Sequence, residues 1–210
     1  MRGGKKSMIR NIVFDVGKVL VSYEPDAYMD SLGLDAGAKA RLNAAVFENP
    51  LWDASDQGLG TPEELLEQFI LGDVELEDQI RYLYGTVGNT VELMPYALEW
   101  IRELKEQGYG VYILSNYSEN MLNQTREKLL FLPLVDGVVF SYRVKLLKPD
   151  PGIYRYLYDA YSLNPRECVF LDDRPENIRG AQGTGMHGIV FRDYASAKRE
   201  LLDFLRDSNI

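Results

Sequence analysis

The apolar residues of this chain keep one spacing near the start, a second through the middle, and an alternation of the two thereafter. Ile12-Val13-Phe14 is apolar at every position, halts on Asp15, turns at Gly17 and resumes as Val19-Leu20-Val21. Such an unbroken run predicts a strand buried on both faces, as in a parallel sheet, and it delivers Asp15 to a sheet edge. Residues 24 to 90 instead carry apolar positions three and four apart, which predicts helices and little sign of another buried strand. Their clearest start signal is Thr61-Pro62-Glu63-Glu64. Thr61 can cap, Pro62 suits the first helical position, and Glu64 completes a capping box ahead of Leu65, Leu66, Phe69 and Ile70. Gly72 stops that helix, Leu34 to Phe47 and Leu76 to Tyr84 show the same spacing, and Gly58 and Gly60 mark a loop between helices.

From Pro95 the two periods alternate. Pro95 to Gln107 predicts an amphipathic helix closed by Gly108, Tyr109 to Leu114 a strand, and Ser118 the cap of a helix running to about Leu130. Val135 to Phe140 is the next strand; Asp150 caps and Pro151 opens a helix through Tyr161; Val169 to Leu171 is a strand; Pro175 opens a helix that ends near Gly183; and Gly188 to Phe191 is the last strand. The tyrosines at 154, 156, 158 and 161 straddle several helix faces and read as packing plus rim exposure. Alternating helix and strand is the signature of an α/β fold, a doubly wound, Rossmann-like parallel sheet. The expected organisation is a discontinuous core, residues 1–23 and 91–210, interrupted by a small helical domain at 24–90.

Composition narrows the functions open to this fold. The 210 residues are 46% hydrophobic, enough for a sizeable core, and carry a formal charge of −9 with no basic block beyond Arg2 to Lys6. That balance argues against nucleic acid and anionic membranes, so an anionic ligand needs a local site. No apolar run reaches membrane-spanning length and Met1 to Arg10 lacks the core of a signal peptide, so a cytoplasmic protein is expected, as a monomer or small homo-oligomer. The single cysteine, Cys168, leads an apolar strand and reads as a packing residue. The single histidine, His187, excludes a multi-histidine zinc site and sits in a glycine-rich loop feeding a strand, where a structural or surface role outweighs a catalytic one. Chemistry therefore falls to carboxylates, lysine, hydroxyls and a hard metal.

Strands of a parallel sheet gather their carboxyl ends on one edge, so polar residues at those ends become neighbours. Besides Asp15, the candidates are Ser115-Asn116 after Leu114, Lys148-Pro149-Asp150 beyond Val139, and Asp172-Asp173 after Leu171. Each alone is ordinary: turn chemistry, a solvated lysine, a helix start favoured by its dipole. In this order they supply metal-assisted phosphoryl transfer. Asp15 could attack phosphorus; Asp172 and Asp173 could join it on magnesium; Ser115 and Lys148 could hold phosphoryl oxygens. Without a cation, three such carboxylates would push at least one pKa upward, so the cluster itself argues for metal.

Four segments now resemble one known group. Phe14-Asp15-Val16-Gly17-Lys18-Val19-Leu20, Leu114-Ser115-Asn116, Lys148-Pro149-Asp150-Pro151 and Phe170-Leu171-Asp172-Asp173-Arg174-Pro175-Glu176-Asn177 resemble, in order, the motifs of the haloacid dehalogenase-like superfamily. The resemblance covers nearly the whole chain. It implies a magnesium-dependent phosphatase working through an aspartyl-phosphate on Asp15. It further implies Ser115, Asn116 and Lys148 as phosphate-binding residues, Asp15, Asp172, Asp173 and the Gly17 backbone carbonyl as metal ligands, and Asn177 as orienting the acidic loop. The inserted helices at 24–90 lie where the family places its cap.

The residue two after the nucleophile is usually an aspartate that protonates the leaving oxygen and later activates water. Here it is Gly17, and general acid or base assistance contributes on the order of a hundredfold to ten-thousandfold. Asp15-Val16-Gly17 resembles a small-cap subgroup that includes sugar-1-phosphate phosphatases of the α-glucose-1-phosphate type. There the next residue is commonly asparagine or glycine, and Lys18 departs from that pattern. An anomeric hydroxyl leaves more easily than a simple alcohol, so a sugar phosphate as substrate is the preferred reading. Hydrolytic dehalogenation of a 2-haloacid needs no leaving-group proton, but that branch works without metal and lacks the paired acids. A catalytically silent domain binding a phosphorylated ligand or a partner is the third reading. In the cap, Phe47, Trp52, Asp53, Asp56 and Gln57 are the residues to test, with Trp52 able to stack on a sugar face and Asp53 or Gln57 able to bind hydroxyls. Trp52 reads more simply as packing between cap and core.

Overall fold

The computed structural model describes residues 8–207, so the basic Arg2 to Lys6 segment lies outside the described residues. Five strands, β1 (Asn11–Phe14), β2 (Gly110–Ser115), β3 (Gly137–Phe140), β4 (Cys168–Asp172) and β5 (His187–Val190), form one all-parallel sheet in the order β3-β2-β1-β4-β5. The first strand is thus central, and the strand order reverses on either side of it. In an open α/β sheet this reversal opens a crevice at the carboxyl edge, here directly beyond Phe14.

Eleven helices accompany the sheet among the described residues. The α1 (Pro25–Ser31), α2 (Ala36–Ala45), α3 (Leu51–Gln57), α4 (Pro62–Gly72) and α5 (Glu77–Gly85) helices lie between β1 and β2 in sequence, followed by α6 (Ala97–Glu106). The remainder are α7 (Glu119–Thr125), α8 (Ser141–Val144), α9 (Pro151–Tyr161), α10 (Pro175–Gly183) and α11 (Tyr194–Asp207). Capping signals settle several starts: Thr61 and Glu64 close the reciprocal capping box of α4, Ser118 accepts from the Met121 amide, and Asp150 accepts from the Gly152 amide with Pro151 opening α9. Each such cap contributes about 1 kcal/mol by satisfying amides that the helix itself leaves unpaired.

Strand alternation explains the unbroken apolar runs. Ile12, Phe14, Val111, Ile113, Val169 and Leu171 face one way, packing on Trp100 and Ile101 of α6 and on Ala197, Leu201 and Leu205 of α11. Val13, Leu114, Val139 and Phe170 face the other way onto Ile153, Tyr154 and Leu157 of α9 and Ile178 and Ala181 of α10. The central pair is Phe14 edge-on to Trp100, with ring centroids 4.9 Å apart. A third apolar cluster, from Met29 to Tyr84 and including Leu42, Phe69 and Ile80, belongs to the inserted helices. Phe47 and Trp52 touch both this cluster and the core cluster beneath it.

The insertion leaves and rejoins the core side by side. Val21 bridges Leu93 in antiparallel fashion, while the Ser22 amide donates to the Glu92 carbonyl at 2.7 Å and the Glu24 amide to the Thr90 carbonyl at 2.9 Å. This neck also explains why α7 stops at Thr125 rather than running on to Leu130. The Thr125 hydroxyl bonds back to the Met121 carbonyl, and the Lys128 ammonium is drawn onto the carbonyls of Gly88 and Val91, at 3.1 and 2.8 Å.

After Asp15 the chain folds into a tight loop in which the Val16 carbonyl faces the amides of Val19, Leu20 and Val21. The loop requires Lys18 at φ 57°, in the left-handed region. Asparagine and glycine occupy that region readily, whereas a long side chain there is strained by roughly 1 kcal/mol. This accounts physically for the preference of the resembled subgroup and for the cost of lysine. Lys18→Asn is expected to raise stability by about 1 kcal/mol, read as a higher denaturant midpoint with an unchanged slope.

Candidate active site

Register brings the strand ends together. Phe14 pairs with Leu171 and with Ile113, and the Asp15 amide donates to the Leu171 carbonyl at 2.9 Å, which sets Asp15 beside Asp172 and close to Ser115. Lys148 arrives from the loop before α9. Its ammonium lies 2.8 Å from Asp15 Oδ1 and 2.7 Å from Asp172 Oδ2, with its side chain 1% exposed. The Val16 amide also donates to Asp15 Oδ1, at 2.7 Å, so both contacts fall on one oxygen of that carboxylate.

The supporting contacts hold each charge in place. Asn177 Nδ2 donates to both Asp172 oxygens at 3.0 Å, and the Arg174 amide donates to Asp172 Oδ1 at 2.8 Å. Asn116 grips the main chain of Lys148 at two points, donating to its carbonyl at 3.1 Å and accepting from its amide at 2.8 Å. The Asn116 side chain is therefore engaged in positioning Lys148, and a phosphate contact at this residue would fall to its backbone amide. Ser115 is buried beside Asp15 and lines the same cavity.

Burial pushes the Asp15 carboxyl up to about 7; the Lys148 ammonium opposes this and the Asp172 carboxylate adds to it. Burial, reinforced by Asp172, also raises Asp173. Against the same burial, the charges of Asp15 and Asp172 raise Lys148, which keeps its ammonium protonated. One lysine thus faces a concentration of carboxylates that calls for a second cation. Asp15, Asp172 and Asp173 offer ligand oxygens within 4.8 Å of one another, and Asn177 Oδ1 is a buried acceptor with no hydrogen-bond partner. An all-oxygen set of this kind fits a hard divalent cation, and magnesium is the ion it suits.

A cavity of about 400 Å³ opens over these groups, and its walls come from both parts of the chain. Asp15, Gly17, Ser115, Lys148, Asp173 and Asn177 form its floor; Trp52, Asp53 and Asp56 of α3 line it from the inserted helices. Gln57 does not line it, correcting the expectation that this residue contacts ligand. Its amide instead donates to the Lys145 carbonyl at 3.0 Å, because the end of α3 is tied to the segment after α8. Gly58 permits that approach: it is left-handed at φ 69°, and a Cβ there would collide with the Tyr142 carbonyl. Phe47 sits behind the wall, 5.0 Å from Trp52 between ring centroids.

Tyr23, Tyr117 and Arg174 also line the cavity; Tyr117 and Arg174 were not singled out as site residues from sequence. Tyr117 and Arg174 directly follow Ser115-Asn116 and Asp172-Asp173, so adjacency to a strand end was the available signal. His187 opens β5 with its ring 5.6 Å from Phe204, and Cys168 is buried in β4, so both residues stand in strands as packing elements.

The fold and its acidic cluster define a Rossmann-like α/β protein with a divalent-cation site at the carboxyl edge of its sheet. A family model for haloacid dehalogenase-like hydrolases matches residues 9–185, and the chain belongs to that family. It is 26% identical over 193 residues to a sesquiterpene phosphatase of Aspergillus oryzae, covering 90% of this chain and 93% of that protein. It is 28% identical over 207 residues to a D-ribitol-5-phosphate phosphatase of Bacteroides thetaiotaomicron, covering 92% and 97%. Among solved structures, a haloacid dehalogenase family enzyme of Bacteroides thetaiotaomicron in complex with magnesium and inorganic phosphate superposes with a TM-score of 0.71 at 20% identity, covering 90% of this chain and 98% of that one.

The acid cluster makes stability depend on pH in a defined direction. Asp15 holds its proton up to about 7 when folded but releases it near the ordinary 3.8 when unfolded. In that interval the unfolded chain sheds protons first, so its contribution to stability is fully present below about 4 and lost as pH rises through 7. Magnesium binding requires the ionised form and reverses this loss. The metal-free protein should melt at lower temperature at pH 8 than at pH 5, and saturating Mg2+ should raise the melting temperature more at pH 8. Equal magnesium shifts at both values would contradict this assignment.

Proposed function

We propose that this protein is a magnesium-dependent phosphatase that hydrolyses a small phosphate monoester, with a sugar or polyol phosphate as substrate and Asp15 as nucleophile. The observation that carries this reading is the placement of Asp15, Asp172 and Asp173 within 4.8 Å around Lys148. The acid set collects a cation, and the cation with Lys148 offers a trianionic reaction centre the positive charge it lacks. In the first step an Asp15 oxygen attacks phosphorus in line with the ester oxygen. Lys148 balances the charge that Asp15 and the phosphoryl oxygens bring together, while Ser115 donates to a phosphoryl oxygen. Water then cleaves the aspartyl-phosphate. When bound, magnesium supplies Lewis-acid neutralisation of the phosphoryl oxygens, held by Asp15, Asp172, Asp173 and the Gly17 carbonyl.

The cavity above supports the substrate class. Residues 24–90 act as the cap, and they present Trp52 as a flat apolar surface and Asp53 at the exposed rim as a hydroxyl acceptor. A volume of about 400 Å³ suits a pentose, hexose or pentitol phosphate. The ribitol-5-phosphate phosphatase likeness widens the class from sugar 1-phosphates to phosphates of primary alcohols, and the sesquiterpene phosphatase shows that a relative accommodates an apolar alcohol.

The family name raises dehalogenation as a second reading. A haloacid carries its own carboxylate into the site, and here four carboxyls, Asp15, Asp53, Asp56 and Asp173, line the cavity against three cations, Lys18, Lys148 and Arg174. Without a divalent cation such a cavity repels a second carboxylate. A screen of phosphate esters in Mg2+, including several sugar 1-phosphates and ribitol 5-phosphate, should release phosphate, stop on chelation, and lose at least about a thousandfold in kcat with Asp15→Asn. Halide release from a 2-chloroacid, or activity insensitive to chelator, would sink the phosphatase reading.

A further inference from the structure

We propose that Asp56, on the cap helix α3, is the general acid and base of this enzyme, replacing the aspartate that Gly17 does not provide. The proposal rests on the phosphatase reading and goes beyond it.

Position 17 is an omission rather than a steric necessity: a Cβ built on Gly17 would meet nothing within 4 Å, and its φ is not in the left-handed region. Space for an acid therefore exists beside Asp15 but holds none. An in-line attack by Asp15 puts the leaving oxygen on the far side of phosphorus, toward the cap. Asp56 lines the cavity from that side, facing Asp15 and Lys148 across it.

Its backbone is fixed relative to the core. Ser141 Oγ donates to the Asp56 carbonyl and accepts from the Tyr117 amide at 2.9 Å, joining α3, the start of α8 and the loop after β2 at one hydroxyl. The charges around its carboxyl are Asp53 on its own helix, Asp15 just after β1, and Lys148, whose two ion pairs go to Asp15 and Asp172. The phenols of Tyr23, Tyr84 and Tyr117 complete its surroundings, and on the α8 side the Lys145 ammonium is engaged by the Gly58 carbonyl. Burial, then Asp53, pushes the Asp56 carboxyl up to about 7, with Lys148 and the Ser118 amide opposing, so both protonation states are populated near neutrality.

The proton inventory closes. As Asp15 bonds to phosphorus and the P–O ester bond breaks, protonated Asp56 gives its proton to the departing alkoxide and becomes a carboxylate. That carboxylate then takes a proton from the attacking water as its oxygen bonds to phosphorus, the Asp15–phosphoryl bond breaks, and phosphate leaves with Asp15 ionised and Asp56 protonated again.

The test is single-turnover kinetics of the magnesium-loaded full chain on aryl phosphates of graded phenol acidity and on one alkyl phosphate. Asp56→Asn should slow phosphoryl transfer from the alkyl phosphate by about a hundredfold or more, and transfer from p-nitrophenyl phosphate far less, because nitrophenolate leaves without a proton. With p-nitrophenyl phosphate in excess, loss of the base should also produce a nitrophenolate burst near one per active site, and adding Gly17→Asp should restore much of the alkyl rate. Uniform slowing across the series, with neither burst nor rescue, would overturn the role of Asp56 while leaving a working phosphatase. Wild-type inactivity on every ester would overturn both readings. If Asp56→Asn does not fold, the wild-type profile decides: an alkyl-ester transfer rate that declines above about pH 7 supports the assignment, and one flat to pH 9 overturns it.

Discussion

The ammonium of Lys148, shut away from water between Asp15 and Asp172, is the interaction around which the site is organised. A buried charge costs several kcal/mol unless its partners are well placed, and removing one partner of such a pair leaves the others uncompensated. Much of the surrounding sequence can be read as meeting that demand. Asn116 holds the lysine's backbone, Asn177 and the Arg174 amide fix Asp172, and parallel register sets Asp15 opposite Asp172. Among the described residues Lys148 is the one cation ion-paired with these three close carboxylates, and that deficit creates an appetite for a divalent cation.

The same arithmetic shapes the wall above. Cap residues cannot add further negative charge near Asp15 without raising the pKa of whichever carboxyl is least compensated, and Asp56 is that group on the cap side. Its elevation comes from its own burial and then from Asp53 on the same helix, with Lys148 of the floor opposing and Asp15 adding less. A carboxyl on a separately packed element, rather than two residues after Asp15, has its distance from Asp15 set by how α3 is seated. The Ser141 hydroxyl and the Gly58 approach to Tyr142 provide that seating.

Much of the fold was legible in the sequence because its signals are local. Unbroken apolar runs marked every strand, and caps such as Thr61, Ser118 and Asp150 marked helix starts to the residue. The misses were of two kinds. The α11 helix carries Ala197, Leu201 and Leu205 four apart and was readable but unassigned, whereas the early end of α7 depends on Lys128 reaching carbonyls some forty positions away. At the site, strand ends located Asp15, Ser115 and Asp172-Asp173, since topology alone brings them together. Side-chain direction was not legible. Asn116 turning onto Lys148, Gln57 turning onto Lys145 and Asp56 lining the cavity are outcomes of packing between distant segments.

The neck between Val21 and Leu93 has a consequence of a different sort. Where the chain departs and where it returns are adjacent, antiparallel and stitched by backbone hydrogen bonds, so the sheet's threading does not depend on the length or shape of what lies between. A short turn could close the gap without re-routing a strand. The helices from α1 to α5 are, in topological terms, an insertion at one crossing point of the chain, whose remaining ties to the core run through α3 to Ser141, Tyr142 and Lys145.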